Sequence, residues 1–275
     1  MMKRTVAITG ASGFIGGEMV QFYLSKGWSV VAMGRKDLKI DHPEFSCLKY
    51  DLFQENDLSP LLSVDVIIHC AFTVWSKNNP DADSINIKAT ESLAEFCEKN
   101  GKQFVFFSSF SAHQNATSHY GKHKYALEKL LESKHLVIKP GLVIGAHGLS
   151  ANIQKIIEEK KFIPVIDGGT QPIQWILIIT LCESVFYGVN EKFIGVFPLA
   201  SSHSITFLVF METIAAQKNK SPFFIFIPSF LVKLLIQVLG SRLSFTEENL
   251  KGLLQLRKFE TKASLEKFNI QIKDL

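Results

Sequence analysis

Tyr120 and Lys124 have the residue types and the spacing of a general acid/base pair. They lie four residues apart in a segment predicted to begin a helix, so their side chains share one helix face. A tyrosine with the usual pKa of ~10 exchanges protons poorly at neutral pH, and a neighbouring ammonium group lowers that pKa by stabilising the phenolate. The spacing therefore predicts proton transfer. The alternative is a solvated pair on a helix surface.

Two serines end the apolar segment that precedes this helix. Ser108 and Ser109 complete a buried strand predicted at 104–107. At the carboxyl end of a parallel strand, a hydroxyl borders the crevice in which ligands bind, and it could polarise a carbonyl group. Because successive strand residues face opposite sides, only one of the two serines is expected to face a substrate. The alternative is a pair that simply terminates the strand.

A glycine turn near the start of the chain has the context of a phosphate-binding loop. Three glycines follow the apolar strand 6–9 and lead into a helix, where the backbone could approach a pyrophosphate at the helix N-terminus. Their spacing is three throughout, whereas the commoner dinucleotide fingerprint has its first two glycines two apart. A bare glycine turn is the alternative. The residues expected to bind the cofactor here are Gly10, Ser12, Gly13, Phe14, Ile15 and Gly16.

The end of the second predicted strand bears on the choice of cofactor. An acidic residue about 20 positions beyond the glycines normally binds the adenosine ribose of NAD, but Gly34 and Arg35 stand there. An arginine can pair with a ribose 2′-phosphate, which favours NADP, with Lys36 as a second cation. If the strand runs further, Asp37 faces the ribose instead, and Arg35 is only a solvated charge.

Asp51 and Leu52 follow the third predicted strand and are expected to contact the cofactor. The carboxylate of Asp51 could accept a hydrogen bond from the adenine amino group. The alternative is an ordinary helix-capping aspartate before Glu55.

The elements that must position these residues alternate along the first half of the chain. Apolar strands are predicted at 6–9, 28–33, 45–50, 64–70, 104–107 and 136–138. Helices are predicted at 18–26, 56–62, 83–100 and 120–133. Strands separated by helices pair in parallel with helices on both faces, so the predicted fold is an α/β, Rossmann-like, doubly wound parallel sheet.

After residue 145 the alternation loosens. We expect a dinucleotide-binding domain at 1–145 and a smaller, mostly helical substrate-binding cap at 146–275, with some interleaving. The most hydrophobic stretch, 222–239, contains Pro228 and polar residues that recur every four positions. This periodicity favours a largely buried helix after Pro228, with a membrane anchor as the alternative.

Composition and charge narrow the class of protein. The 275 residues are 47% hydrophobic and 20% charged, which excludes a disordered or fibrous chain. A scattered net charge of +4 gives no basic stripe for nucleic acid. The four cysteines are too widely spaced for a metal site or a dense disulfide framework, so a cytoplasmic location without a metal is expected. No secretory signal or membrane span is expected either.

Several short motifs occur together in an order that is typical of one enzyme family. They read TGASGFIG at 9–16, VIIHCA at 66–71, FSS at 107–109, YGKHK at 120–124 and KPG at 139–141. With the Asp51–Leu52 pair and Asn86, they resemble the extended short-chain dehydrogenase/reductases. Within that group, the chain resembles the NAD(P)-dependent epimerase/dehydratase and sugar-nucleotide reductase branch over about its first 145 residues.

The resemblance implies a role for each matching position. Cofactor contacts are implied at Gly10, Gly13, Gly16, Arg35, Asp51, Leu52, Ala71, Lys124 and Pro140. Ser109 matches the family's catalytic serine or threonine, Tyr120 its acid/base, and Lys124 the lysine that holds the nicotinamide ribose and tunes the tyrosine. A structural hydrogen bond is expected for Asn86.

The sequence also departs from the family pattern. Only eleven positions separate Ser109 from Tyr120, which implies a substrate pocket with a shortened wall. His113 replaces a frequent tyrosine, Lys139 stands where arginine is usual, and apolar and neutral residues at 179–180 replace common acidic ones. These departures concern the substrate more than the cofactor.

The implied activity is reduction of a keto group on a nucleotide-activated sugar, with NADP(H) favoured and NAD(H) as the alternative. Tyr120 would donate a proton to the carbonyl oxygen, Ser109 would hydrogen-bond that oxygen, and Lys124 would keep the phenol acidic. An epimerase that retains its cofactor is the first alternative. A non-catalytic NADP-binding sensor is the second, because a fold alone does not fix a function. The expected partner is a small-molecule substrate, and a homodimer is possible.

Overall fold

The computed structural model describes residues 3–76, 79–239, 245–273 and 275. The chain forms two compact units that alternate along the sequence. The described parts of the first are 3–76, 79–108, His123–Lys139 and Ile178–Phe197; those of the second are Ser109–Lys122, Pro140–Leu177, 198–239, 245–273 and 275. The assignment of one unit to a cofactor and the other to a substrate remains a prediction.

The strands are numbered along the chain. They are β1 (Thr5–Thr9), β2 (Ser29–Gly34), β3 (Phe45–Lys49), β4 (Val66–His69), β5 (Gln103–Phe107), β6 (Leu136–Pro140), β7 (Leu142–Ile144), β8 (Phe162–Ile166), β9 (Pro172–Ile173), β10 (Trp175–Leu177), β11 (Gly195–Leu199), β12 (Ile205–Thr206) and β13 (Phe223–Ile227). The helices are α1 (Phe14–Ser25), α2 (Ala82–Lys99), α3 (His119–Leu131), α4 (Gly148–Glu159), α5 (Ile178–Asn190), α6 (Phe207–Gln217), α7 (Ser229–Leu239), α8 (Glu247–Leu254) and α9 (Lys262–Lys267).

A seven-stranded sheet in the order β11-β6-β5-β4-β1-β2-β3 is the centre of the fold. The five pairings that join β1 to β6 into this sheet are all parallel. The chain builds outward from β1 through β2 and β3, and then in the other direction through β4, β5 and β6. The direction of winding therefore switches between β1 and β4, which is where open sheets of this kind bind ligands. This order confirms the predicted doubly wound parallel sheet.

The sheet is covered on both faces by apolar side chains. Ala7 of β1 belongs to a buried cluster that includes Leu93 of α2 and Leu127 of α3. Its neighbours Val6 and Ile8 face the other side of the sheet and are also fully buried. Strands buried on both faces need a nearly continuous run of apolar residues, which is what β1, β4 and β5 contain.

The second unit combines helices with three two-stranded sheets, which pair β7 with β10, β9 with β12, and β8 with β13. Its buried cluster joins Phe210, Met211 and Ile214 of α6 to Ile157 of α4 and Val165 of β8. These short strands were not predicted from the sequence, because strands of two to five residues carry little periodic signal.

Two predicted helices differ in the structure. Helix α1 begins at Phe14, inside the glycine turn, rather than at residue 18. The predicted helix at 56–62 is only a short 3-10 helix at Ser59–Ser63, with Pro60 near its start. Proline lacks a backbone N–H and shortens the helical run that could precede it.

The predicted helix after Pro228 is confirmed, but the prediction that it is largely buried is wrong. Helix α7 forms where the periodicity placed it, but none of its eleven residues, all of them described, is buried. The four-residue recurrence of polar side chains marks one side of a helix, and it does not show whether anything covers the other sides. Over the described ranges, no helix is both long and apolar enough to cross a membrane.

Candidate active site

The first and last glycines of the turn are packed so closely against backbone atoms that neither position has room for a side chain. Gly10 has a left-handed φ of 66°, and a Cβ atom there would lie 2.7 Å from the backbone nitrogen of Ala71. A Cβ atom at Gly16 would overlap the carbonyl group of Gly10. The backbone N–H of Gly13 donates to the Gly10 carbonyl at 2.8 Å and closes the turn. The turn therefore requires glycine at both its first and last positions.

Helix α1 starts directly at this turn and presents its N-terminus there. Gly13 is its N-cap, and within the described part of the chain no side chain caps this helix end. The first turn contains no acidic residue, and Ser12 and Gly13 are exposed. The partial positive charge of a helix N-terminus favours an anionic group. A helix N-terminus preceded by a tight glycine turn, at the switch point of the sheet, fits the pyrophosphate of a dinucleotide.

A buried polar network ties the end of β1 to the end of β4. The Thr9 hydroxyl accepts a hydrogen bond from the backbone N–H of Ala71 at 3.1 Å and lies 2.8 Å from Nδ1 of His69. Nε2 of His69 lies 3.3 Å from the Thr90 hydroxyl, which donates to the Asn86 carbonyl at 2.7 Å. Burial lowers the pKa of His69 to about 3, so the ring is neutral. One tautomer satisfies both hydroxyls, with the proton on Nε2.

Asn86 extends this network to the loop that follows β4. Its amide donates to the Thr73 carbonyl at 2.7 Å and accepts from the Thr73 N–H at 2.9 Å. The structural hydrogen bond expected for Asn86 is thus present. The loop carrying Ala71 is held at its start by Thr9 and at Thr73 by Asn86.

The residues proposed for the adenosine end lie beyond β2 and β3. Strand β2 ends at Gly34, so Arg35 is the first residue after it, and Asp37 is two residues further on; both are exposed. Asp51 is half-buried, and its side chain accepts a hydrogen bond from the Phe53 N–H at 3.1 Å. This is a local turn rather than the cap of an α-helix. Leu52 packs against the buried cluster of the sheet.

Lys124 is a buried cation in the first unit. Its Nζ donates to the Phe107 carbonyl at 2.6 Å and lies 4.0 Å and 4.4 Å from the ring centres of Phe72 and Phe106. Burial lowers the pKa of Lys124 to about 7, against the opposing charges of Cys70 and Glu128. The carbonyl and the two ring faces compensate for part of the lost hydration.

Ser109 and Tyr120 lie together in the second unit. Burial raises the pKa of the Tyr120 phenol, and a hydrogen bond with the Ser109 side chain acts in the opposite direction. The Ser109 hydroxyl also accepts from the Ser111 N–H at 3.1 Å, which fixes its orientation. Desolvation of the phenolate outweighs the hydrogen bond with Ser109, so the pKa of Tyr120 is raised, and a lowering by Lys124 stays a prediction. The phenol is therefore in its protonated form at neutral pH.

Ser108 turns away from this pair, as expected for one of two successive residues. Its hydroxyl donates to Glu128, and the Glu128 carboxylate is paired with Nζ of Lys139 at 3.0 Å. All three side chains are buried. Desolvation raises the pKa of Glu128, and the positive charge of Lys139 opposes that shift.

Glu128 is a residue that the sequence reasoning missed. It follows Lys124 by one helical turn, as Lys124 follows Tyr120, so the three positions form one line along α3. The signal was a polar residue at the third position of that line. Pro140, predicted to contact the cofactor, is the buried last residue of β6.

A parallel sheet with this strand order and a tight glycine turn at its switch point defines the class of dinucleotide-binding proteins with a Rossmann-like fold. The sequence of residues 6–178 matches the family model of the NAD dependent epimerase/dehydratase family. The chain belongs to that family, which confirms the resemblance of its motifs.

Curated relatives share limited identity with the chain. Ceramide reductase from Caulobacter vibrioides (strain NA1000 / CB15N) is 28% identical over 152 residues, 52% of this chain and 47% of that protein. Human sterol-4-alpha-carboxylate 3-dehydrogenase, decarboxylating, is 32% identical over 109 residues, 39% of this chain and 29% of that protein. The chain thus matches about half or less of these two relatives. UDP-glucose 4-epimerase from Vibrio cholerae is 23% identical over 304 residues, 96% of this chain and 90% of that protein.

Solved structures share the fold. UDP-glucuronic acid 4-epimerase from Bacillus cereus, in complex with NAD, has a TM-score of 0.71 at 20% identity and covers 82% of this chain and 87% of its own. The dTDP-glucose 4,6-dehydratase from Bacillus anthracis str. Ames, in complex with NAD, has a TM-score of 0.70 at 15% identity. The match covers 92% of this chain and 96% of that one.

The buried state of Lys124 makes stability depend on pH. Between the folded pKa of about 7 and the ordinary value of 10.5, the unfolded chain holds a proton that the folded chain has lost. Stability therefore rises with pH in this window, by up to about 1.4 kcal/mol per unit from this group. In Lys124→Met, this contribution disappears. Urea unfolding at about pH 7.5 and about pH 9.5 measures it, and an equal pH dependence in the two proteins would contradict the buried ammonium.

Replacing Glu128 removes the carboxylate that faces a buried cation. Glu128→Gln is expected to lower the free energy of unfolding by about 3 kcal/mol, because Lys139 then stays desolvated without the opposite charge of Glu128. The matched control is Glu95→Gln, which breaks the exposed pair of Glu95 and Lys99 on α2 and costs less than about 1 kcal/mol. Urea unfolding compares the two variants. Equal losses would mean that the Glu128 pair is no stronger than a surface pair.

Proposed function

We propose that the protein is an NADP(H)-dependent reductase of a keto group on a nucleotide-activated sugar. The observation that carries the proposal is the hydrogen bond between the side chains of Ser109 and Tyr120. Tyr120 lies on α3, which also carries the buried Lys124 one turn later. These three residues are the family's reactive set by position, and the chain retains all of them.

A protonated phenol suits the reductive direction. The raised pKa of Tyr120 keeps its hydroxyl proton at neutral pH, so it can donate to the oxygen of a carbonyl group as that oxygen gains charge. The hydrogen bond with Ser109 orients the phenol and supplies a second hydroxyl for the same oxygen. When bound, the nicotinamide cofactor supplies the hydride.

Lys124 completes the set as the residue that would hold the nicotinamide ribose. Its pKa of about 7 means that the ammonium and amine forms coexist near neutral pH. An ammonium group has three N–H donors, and the Phe107 carbonyl accepts from this one. The glycine turn, Ala71 and Pro140 would hold the rest of the cofactor.

Arg35 supports NADP as the cofactor. It is the first residue after β2, where a carboxylate would be needed to bind an unphosphorylated ribose, and it is exposed with Lys36 beside it. A guanidinium group can bind a 2′-phosphate through two parallel hydrogen bonds. The relatives solved with NAD support the alternative, in which Arg35 remains solvated.

The substrate class is supported by a relative that matches along most of its length. UDP-glucose 4-epimerase is aligned over 96% of this chain. That relative also favours a second candidate, an epimerase that retains its cofactor. Tightly held dinucleotide in the purified protein, with no net consumption of NADPH, would select the epimerase.

Tyr120→Phe is expected to abolish turnover and to leave NADPH affinity unchanged, because it removes only the donated proton. The assay follows NADPH oxidation with a set of nucleotide-linked keto sugars, and NADPH binding is titrated separately. Tyr125→Phe is the matched control on the same helix and is expected to retain activity. Undiminished turnover in Tyr120→Phe would reject the role of the phenol, and NADPH binding without turnover of any substrate in the wild type would favour a sensor.

Arg35→Ser is expected to weaken NADPH binding by at least about tenfold, since a charge-assisted bidentate contact is lost. NADH binding should not change, because NADH has no 2′-phosphate. Lys39→Ser, an exposed lysine four residues on, is the control and should affect neither. Fluorescence titration with both cofactors measures the effect. Equal affinity of the wild type for NADPH and NADH would remove the basis for NADP.

A further inference from the structure

The second unit carries an apolar surface that nothing in the described structure covers. It is formed by the outward side of the β8–β13 sheet and by α7, and it is defined here as the apolar face by Phe162, Phe223, Ile225, Phe230, Leu234 and Val238. All six side chains are about half exposed or more. A contiguous exposed patch of large apolar side chains marks an interaction surface.

The sheet contributes one complete side to the apolar face. Strands β8 and β13 are parallel, with Phe223 opposite Phe162 and Ile225 opposite Pro164. The rings of Phe162 and Phe223 are stacked, with their centres 5.8 Å apart. The intervening residues Ile163 and Val165 are buried in the core of the unit. The inner side of this small sheet thus holds the unit together, and its outer side is equally apolar.

Helix α7, which follows β13 in the chain, contributes the other three side chains. Phe230, Leu234 and Val238 follow one another at intervals of four, and their exposed fractions are 68%, 54% and 73%. Val232 and Ile236, on the other side, are half-buried. The side of the helix that faces away from its own unit is therefore apolar, which is the reverse of an ordinary surface helix.

The helix is fixed to the sheet and is not a loose extension of it. Only Pro228 separates the end of β13 from the start of α7. The Ser229 N–H donates to the side chain of Asp167, which directly follows β8, at 2.7 Å. Sheet and helix therefore present their exposed apolar side chains as parts of one unit.

The two segments that form the apolar face contain only positive charges, and the acidic residues beside them are engaged: Asp167 accepts from the Ser229 N–H, Glu158 pairs with Lys218, and Glu159 pairs with Lys155. The segments 160–166 and 218–239 contain five lysines and no aspartate or glutamate. Lys160 and Lys161 directly precede the first residue of β8, and Lys220 lies just before β13. These three are exposed, and in the parts of the chain that the structure describes they form no ion pair. The nearest acidic residues on α8, Glu247 and Glu248, are paired with Lys251.

This charge pattern distinguishes between two occupants. A second copy docking symmetrically would bring the same lysines against each other, because a two-fold contact is self-complementary. An anionic lipid surface provides apolar chains for the phenylalanines and leucines and negative headgroups for the lysines. With eleven residues, α7 is about 16 Å long, far short of the roughly 30 Å of a bilayer core. It can lie in the interface but cannot span it.

We propose that the apolar face binds to the surface of an anionic phospholipid bilayer, with α7 and the outer side of the β8–β13 sheet inserted at the level of the headgroups. The lysines at 160, 161 and 220 contact the lipid headgroups. The protein is thereby a peripheral membrane protein, independently of which substrate its active site takes.

Flotation of the whole chain with vesicles tests this proposal. Vesicles of phosphatidylcholine with about 30% phosphatidylglycerol are expected to carry the protein to the top of a density gradient at about 0.1 M salt. Pure phosphatidylcholine is expected to carry at least about tenfold less. Phe230→Glu with Leu234→Glu should lower binding at least about tenfold, since two charges would have to enter the interface. Lys160→Gln with Lys161→Gln and Lys220→Gln should weaken binding to the anionic vesicles only.

The matched control is Leu62→Glu, which changes a leucine that is 57% exposed on a short helix of the first unit, and it should bind like the wild type. Thermal unfolding of each variant without vesicles checks the fold. A second measurement uses Phe230→Trp, whose emission should shift to shorter wavelength on anionic vesicles.

The proposal is overturned if the wild type stays at the bottom of the gradient, if the double glutamate variant floats equally well, or if the Phe230→Trp emission does not move. Light scattering then assigns the alternative: a wild-type dimer that the glutamate variant converts to a monomer would make the face a contact between two copies of the chain.

Discussion

The burial of the Lys124 ammonium group is the constraint on which the packing of the first unit at the end of β5 depends. A desolvated cation is tolerated only where dipoles and opposite charge are fixed around it. Here the Phe107 carbonyl at the end of β5 and two ring faces surround it, and Glu128 follows one turn later. These contacts fix the part of α3 that belongs to the first unit relative to the end of β5.

A second constraint acts on the backbone that would hold a cofactor. Gly10 approaches Ala71 so closely that a side chain cannot intervene, and the Thr9 hydroxyl bonds to the N–H of Ala71. A neutral His69 completes that network to Thr90. Phosphate binding by backbone groups needs a rigid loop, and this one is held by buried neutral hydrogen bonds that do not compete with the ligand for charge.

The sequence allowed the order of strands and helices in the first half to be predicted, because buried parallel strands are short and apolar and the helices between them end at glycines. The family resemblance singled out Ser109 rather than Ser108, and that assignment stays a prediction. The sequence did not allow the partners of buried charges to be found: Glu128, Lys139 and Ser108 are distant in sequence, and only folding brings them together. The exposure of α7 was also missed, since periodicity reports which residues share a side and not what covers that side. The raised pKa of Tyr120 depends on burial, which spacing does not reveal.

The most direct test of this account is the pKa of the Lys124 amine itself. An NMR titration of the lysine ε-carbon signals, with Lys124 identified by the signal that is missing in Lys124→Met, measures it in the folded protein. The account predicts a midpoint at about 7, well below the ordinary value of 10.5. A Lys124 signal that titrates together with the solvated lysines would contradict the burial of this ammonium group.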